Sequence, residues 1–298
     1  MCKLLSLVLL GSTIVGSVFG QLKKQFSIEG TDQCERVALS LKAKTGNCFI
    51  RPSQNNDILN IYSNQDLEEY AHSFSNEISG NTCVVKLQLQ QDNQSGVGHK
   101  ISYKVLGAEA ASTDKFWKVY LTDSKLYSLD LDYGLGNANV DLSGLAIQKF
   151  KINTGSADVN IAYSSGMENK VDMDTFMVNV DVGSVTVKQI DLTRAKIVLA
   201  DVGFGNLSLD YGAMPKHGTK VKGSIGAGNL VVTLPDQSVA VLVKVTDSWL
   251  CSVHLSKNLK KISENTYANA AYSQNPKNAL TFDLDVSMGK IIFKEKSN

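Results

Sequence analysis

One motif recurs along most of the chain and narrows the folds open to it: Gly-x-Gly, a small or polar residue, then apolar-x-apolar. It reads Gly134-x-Gly136 into Ala138, Val140 and Leu142, Gly155-x-Ala157 into Val159 and Ile161, and Asp181-x-Gly183 into Val185 and Val187. It continues as Gly203-x-Gly205 into Leu207 and Leu209, and Gly226-x-Gly228 into Leu230, Val232 and Leu234. Weaker copies stand at Asp247-x-Trp249 before Cys251 and Val253, at Ser287-x-Gly289 before Ile291 and Phe293, and at Gly46 before Cys48 and Ile50. The second positions fall at 136, 157, 183, 205, 228 and 249, in steps of 21, 26, 22, 23 and 21 residues. A period of about 22 residues predicts a solenoid of stacked rungs, each with two short strands and two corners. One such unit cannot bury its apolar face alone, so neighbours must stack on it.

Strict alternation supports strands with one wet face. Leu129, Leu131 and Tyr133 share a face against Asp130 and Asp132, and Leu280, Phe282, Leu284 and Val286 share one against Thr281, Asp283 and Asp285. Glycine suits the corners because it accepts positive φ and lets backbones approach closely. Asn follows several corners (Asn47, Asn137, Asn206, Asn229), and stacked Asn side chains are expected to hydrogen-bond along the solenoid. The predicted fold is therefore all-β, a β-solenoid-like stack of short strands with rungs of about 22 residues and an N-terminal β cap.

Three parts are expected. Residues 1–20 read as a secretory signal peptide: a short basic start, an apolar run over residues 4–19, and Val18 and Gly20 before a cleavage point at Gln21. An uncleaved anchor is the alternative, although the run is short of the ~20 residues a spanning helix needs. Residues 21–107 hold less regular strands, near Val37–Leu41, 58–62, 84–89 and 101–105, that cap or start the stack. Residues 66–78 fit a helix or a strand. Residues 115–298 form the repeat domain, after a soft boundary at 107–114.

Cleavage would remove Lys3 and leave 29 basic against 29 acidic side chains. A neutral chain lacks the field that draws nucleic acid or anionic lipid. No later stretch has transmembrane length. Four cysteines would remain, Cys34, Cys48, Cys83 and Cys251, in no zinc-like spacing. Four cysteines allow three pairings. Cys48 and Cys251 fall at apolar positions of the repeat and read equally well as small buried hydrophobes or as bridge partners; if a bridge forms, Cys34 with Cys83 is the expected one.

The run Trp117-Lys-Val-Tyr-Leu, then Leu126-x-x-Leu129-x-Leu131-x-Tyr133-Gly134-x-Gly136 and on to Leu145, resembles the bacterial toast-rack family of adhesin-like proteins. That family is related to the C-terminal domain of cell-wall-active antibiotic response proteins. Residues Lys151 to Ile161 look like its next repeat, Tyr267-Ala-Asn-Ala-Ala-Tyr272 like its closing segment, and Thr45-Gly-Asn-Cys-Phe-Ile50 like its opening strand. The resemblance implies a β-stack in the cell envelope and assigns no catalytic residue or cofactor.

Catalytic motifs are missing from the sequence. His72, His99, His217 and His254 are scattered, and no nucleophile elbow or phosphate loop is present. The Gly-x-Gly units lack the third glycine of a nucleotide fingerprint, so they read as corners. Paired carboxylates are the candidates that remain. Asp130 with Asp132, Asp172 with Asp174, and Asp283 with Asp285 each project from one strand face. They fit a solvated face, a Ca²⁺ site built from oxygens, or an acid/base pair acting on a polysaccharide. Trp117 fits the core. Trp249, where a corner glycine is expected, fits an exposed contact. The expected function is a non-catalytic structural or interaction protein of the bacterial envelope, periplasmic or at the surface, with a protein or glycan partner. The alternatives are a carbohydrate-active solenoid enzyme and a periplasmic stress regulator acting through a membrane partner.

Overall fold

The alternating segments become strands because every second side chain can reach a shared core while the backbone pairs with the next unit. A computed structural model describes residues 22–65, 72–89, 116–213, 215–247 and 249–296. The signal-peptide segment, residues 101–105 and the 107–114 boundary lie outside the described residues. So do residues 66–71; the remainder of the ambiguous 66–78 segment is strand.

Each rung has two legs, and the legs form two continuous sheets. The first sheet runs β4 (His72–Ser79), β5 (Thr82–Leu89), the first half of β2 (Arg36–Ser53) and the first half of β7 (Leu126–Asp141). It continues through β8 (Ala146–Thr154), β10 (Met173–Val180), β12 (Ala195–Val202), β14 (Lys220–Ile225), β20 (Leu280–Val286), β16 (Val241–Asp247), β19 (Thr266–Ala268) and β18 (Lys260–Ser263). The second sheet runs β1 (Lys23–Ile28), β3 (Leu59–Ser63), β6 (Phe116–Thr122) and the second halves of β2 and β7. Then follow β9 (Asp158–Ala162), β11 (Ser184–Lys188), β13 (Asn206–Asp210), β15 (Asn229–Leu234), β21 (Lys290–Glu295) and β17 (Ser252–His254).

Pairing through the middle is parallel and in step with the repeat. Val198 lies between Phe176 and Val221, and Leu207 between Val185 and Leu230. The inward faces meet in one core, where Phe150 stacks on Phe176 at 4.7 Å and Phe282 meets Phe293 edge-on at 4.9 Å. Stacked rings of this kind add to the burial of their area.

Chain order and stack order part company at both ends. β2 lies directly on β7, and the later strands β5 and β6 lie outside it. At the other end the last rung, β20 with β21, is inserted between β14/β15 and the earlier β16/β17. Antiparallel strands then finish three of the four sheet ends, β4 on β5, β3 on β6 with β1 on β3, and β19 on β16 with β18 on β19, while the second sheet ends on the short parallel strand β17. Phe26 of β1 stacks on Phe74 of β4 at 4.6 Å, joining the two sheets at the N-terminal end. The Cys34–Cys83 bridge forms there, with the Cα atoms 5.5 Å apart. Cys48 is buried beside the Tyr133 hydroxyl at 3.7 Å, and burial pushes its thiol up to about 12. Cys251 is partly buried against the core.

The side of the rung away from the glycine corner is looser and is tied by buried amides. Asn169 accepts the Ile147 N–H at 2.8 Å and donates to the Ile147 and Val171 carbonyls. Asn269 does the same work at the C-terminal end, in the predicted closing segment. It accepts the Val241 and Tyr272 N–H groups at 3.0 Å, capping the one-turn helix α1 (Ala270–Gln274). No helix among the described residues is long and apolar enough to cross a membrane.

Candidate functional site

The glycine corners divide into two kinds. Gly46 and Gly136 take positive φ, 104° and 117°, inside the long bent strands β2 and β7, and a Cβ on Gly136 would in addition fall 2.2 Å from the Gly46 carbonyl oxygen. Gly183, Gly205, Gly228 and Gly289 are needed for closeness instead. A Cβ on any of them would fall 2.1–2.3 Å from a carbonyl oxygen of the rung beneath. Gly155, Gly203 and Gly226 are less tight, at 3.0–3.1 Å, while at Gly134 the nearest carbonyl oxygen, that of Lys44, is at 2.5 Å. The predicted Asn ladder is present as separate pairs. Asn137 donates to Asn47 at 3.3 Å and Asn229 to Asn206 at 2.7 Å; Asp158 and Ser184 occupy the row between them.

Trp117 is buried in the core and Trp249 is 89% exposed. Trp249 is not the equivalent of a corner glycine. Ser252 faces Lys290, so counting back one residue sets Cys251 against Gly289 and leaves Trp249 in the preceding turn. The corner tips Val182, Phe204 and Met288 are also exposed, a consequence of the x position in each Gly-x-Gly unit.

On the outer face of the first sheet, one half carries a set of ion pairs between rungs, although Asp132 and Lys149 there make none among the described residues. Asp130 lies opposite Lys151, with Nζ 3.8 Å from the carboxylate. Arg194 pairs with Asp172 and approaches Glu168 at 3.8 Å, while Lys196 reaches Asp174 at 3.4 Å. Each of the Lys151, Asp172 and Asp174 pairs joins residues one rung apart. His217 adds a contact to Asp172 at 3.2 Å, and Lys216 one to Glu168. The Arg194 guanidinium holds the Asp172 carboxyl below the usual carboxylate range.

The other half of the face carries a trough of about 490 Å³ across β10, β12, β14, β20 and β16. Its polar row is Asn179, Asp201, Ser224, Asp285 and Thr246, one residue per strand in register. The parallel row is Met177, Leu199, Lys222 and Asp283. Beneath the sheet the inward positions are small, Ala200 and Gly223, and the outer face dips over them. A Cβ at Gly223 would meet Leu284 Cδ2 at 2.9 Å. Among the described residues, Asp201, Lys222, Ser224, Asp283 and Asp285 make no side-chain hydrogen bond or ion pair.

The acidic pairs proposed for Ca²⁺ do not converge. Asp130 and Asp132 lie on β7, five strands from Asp283 and Asp285 on β20, or about 24 Å at the usual strand spacing. No three carboxylate, imidazole or thiol groups among the described residues are grouped to hold a cation. Asp283 and Asp285 do share the trough.

Sequence reasoning missed a buried polar cluster at the far end of the second legs. The Tyr163 and Tyr211 hydroxyls are buried with no protein partner. Asp191 beside them accepts the Gly212 N–H at 2.6 Å, and burial pushes its carboxyl up. Burial acts on Asp141 too, but hydrogen bonds from Ser143 and Ser164 outweigh it and hold that carboxyl down. In the sequence these tyrosines look like any other apolar position of the repeat.

No curated protein sequence matches the chain. Crystal structures similar to it include the following two. One, of a candidate cell adhesion protein from Clostridium sporogenes ATCC 15579, is 17% identical with a TM-score of 0.43, covering 93% of this chain and 100% of that one. The other, of a candidate adhesin from Bacteroides fragilis NCTC 9343, is 13% identical with a TM-score of 0.37, covering 92% and 97%. The family model described as the N-terminal domain of toast_rack, DUF2154, matches residues 19–188, more than half of the chain, and the protein belongs to that toast-rack family.

Proposed function

We propose that this protein is exported to the bacterial cell envelope and acts there as a non-catalytic interaction protein, adhesin-like in binding or scaffolding. The observation that carries the reading is the trough. It is long, open and set on a rigid mid-sheet floor, with its polar groups spread one per strand instead of gathered around a reacting centre. Such a surface recognises an extended partner. Export rests on the apolar run of residues 4–19 and the small residues before Gln21.

Protease shaving of intact native cells, with fractionation and immunoblotting, tests the reading. A chain found in the envelope fraction, cleaved on intact cells or after outer-membrane rupture, supports it. A full-length chain in the cytosol sinks it.

One observation favours a second reading, a carbohydrate-active enzyme: Asp283 and Asp285 project from one face of β20 into the trough. Both are exposed, whereas a general acid is ordinarily desolvated by its site. Release of reducing ends from a polysaccharide, lost in Asp285→Asn, would establish this reading in place of the first.

A further inference from the structure

We propose that the trough binds a linear glycan strand laid along the stack axis, a strand that is neutral or carries free amines. The inference deepens the interaction reading and rests on it.

The first argument is the contrast within one sheet face. Beside the trough, Asp130, Asp172 and Asp174 are each matched by a basic side chain one rung away. Inside it, Asp201, Lys222, Ser224, Asp283 and Asp285 make no side-chain hydrogen bond or ion pair among the described residues, with Lys222 and Lys244 in register on either side of Asp283. Hydrogen-bonding capacity held open on a rigid floor costs little to bring to a ligand.

The second is the chemistry of the lining. Sugar hydroxyls both donate and accept. The carboxylates of Asp201 and Asp285 accept, Lys222 donates, and Ser224 and Thr246 do both. Leu199 and Met177 supply an apolar strip for the C–H face of a ring.

Spacing and charge narrow the ligand further. The row Asn179, Asp201, Ser224, Asp285, Thr246 advances one strand at a time, about 4.8 Å per step. That step is close to the length of one pyranose in an extended chain, so successive rungs can address successive sugars. Asp201, Asp283 and Asp285 outnumber Lys222 and the neighbouring Lys244 by one, a small negative excess that disfavours uronates, sulfates and phosphates and tolerates amines.

A peptide strand is the poorer fit. β10, β12, β14 and β20 are each paired on both sides, and β16 is covered by β19 over Leu242–Lys244, so the floor of the trough between them offers no open backbone edge for strand addition.

The test is calorimetric titration of the full mature chain with cellohexaose, a glucosamine hexamer and a galacturonate hexamer. Binding of one of the first two and not the third is expected. Ser224→Trp, at an exposed outward position, should abolish it by filling the trough. Asp201→Asn and Asp285→Asn keep the shape and should each weaken it roughly tenfold. Circular dichroism and melting of all three variants check that they fold. The proposal is overturned if neither the neutral nor the amino hexamer binds, if the galacturonate binds better, or if a folded Ser224→Trp variant binds as well as the parent. A lysine-rich peptide that binds and is displaced by the same substitutions would also overturn it. Failure here in a chain that fractionates with the envelope leaves the interaction reading standing. A cytosolic chain whose trough binds the glycan would end that reading and keep the site.

Discussion

The middle of the stack and its two ends are built on different rules. From β7 to β15 the rungs follow chain order, pair in parallel and repeat one corner. At each end the order inverts: β2 is covered by β5 and β6, and β20/β21 is covered by β16/β17. Antiparallel strands then cover both legs of the outer rung at the N-terminal end and the β16 leg at the C-terminal end, where the short β17 closes the second sheet. A parallel stack has no intrinsic reason to stop, and an open flat edge invites another chain. The inversions solve this by placing the first and last full rungs inside, where each is paired on both sides. Charge finishes the job, with Lys23 and Lys24 on the edge strand β1 and Lys260 and Lys261 on the edge strand β18.

The comparison is most open to attack at the C-terminal end. Removing residues 276–298 deletes the interior rung and leaves β14/β15 and β16/β17 without their common partner. Hydrogen exchange should then show protection lost across residues 220–254 and kept across 126–210, since contacts in such stacks pass only between neighbours. Retained protection at 220–247 would mean that the inserted rung does not hold the end together. At the N-terminal end the bridge does part of that work, closing a separation of 49 residues. Cys34→Ser with Cys83→Ser should cost about 2–4 kcal/mol in denaturant unfolding. Opening should begin at residues 36–43 and 82–89.

The middle should respond to changes at the corner. Gly205→Val drives a side chain toward the Gly183 carbonyl oxygen, 2.3 Å from the Cβ position, and the obstacle is backbone that cannot swing away. About 2–3 kcal/mol is expected. Gly80→Ala, in the end hairpin at φ +61 with nothing within 4 Å, should cost about 1 kcal/mol. Equal costs would remove the claim that the middle depends on close approach. Asn206→Ala loses one exposed amide pair with Asn229 and should cost roughly 0.5–1 kcal/mol.

The middle was legible in the sequence because its rules are local. Period, alternation and corner glycine each appear within one 22-residue unit, and every unit repeats them. The ends were not legible, because insertion of β20/β21 ahead of β16/β17 leaves each strand's own pattern unchanged. Leu280 to Val286 alternates in the same way whichever rung it joins. The Cys34–Cys83 pairing is the one the sequence suggested, but the spacing alone left three pairings open, and of the other two cysteines only Cys48 sits at a buried repeat position, Cys251 lying opposite the corner Gly289. The trough was half legible. Asp283 and Asp285 stood out as a pair, but their partners Asp201 and Ser224 come from other rungs, and only the register brings them together. Trp249 is not the corner position that the repeat spacing predicts: the 247–252 turn holds an extra residue relative to 286–290, and the strand that follows sets Cys251 two residues on against Gly289.

The smallest effect separates the buried polar cluster from the rest of the middle. Burial raises the Asp191 carboxyl above its unfolded value, so the folded state holds the proton more tightly than the unfolded chain does. The stability tied to that proton is complete below the ordinary carboxylate range and is lost as pH rises through the folded value. Above that folded value the protein carries a buried charge, set near Asp210 and beside two tyrosine hydroxyls without protein partners. Asp191→Asn keeps an oxygen for the Gly212 N–H and removes the charge. Denaturant unfolding should show the variant slightly more stable than the parent at about pH 7, with the gain gone at about pH 3. A variant less stable at both values would mean that the carboxylate is held by groups stronger than the Gly212 amide, and that this part of the middle is organised around the charge.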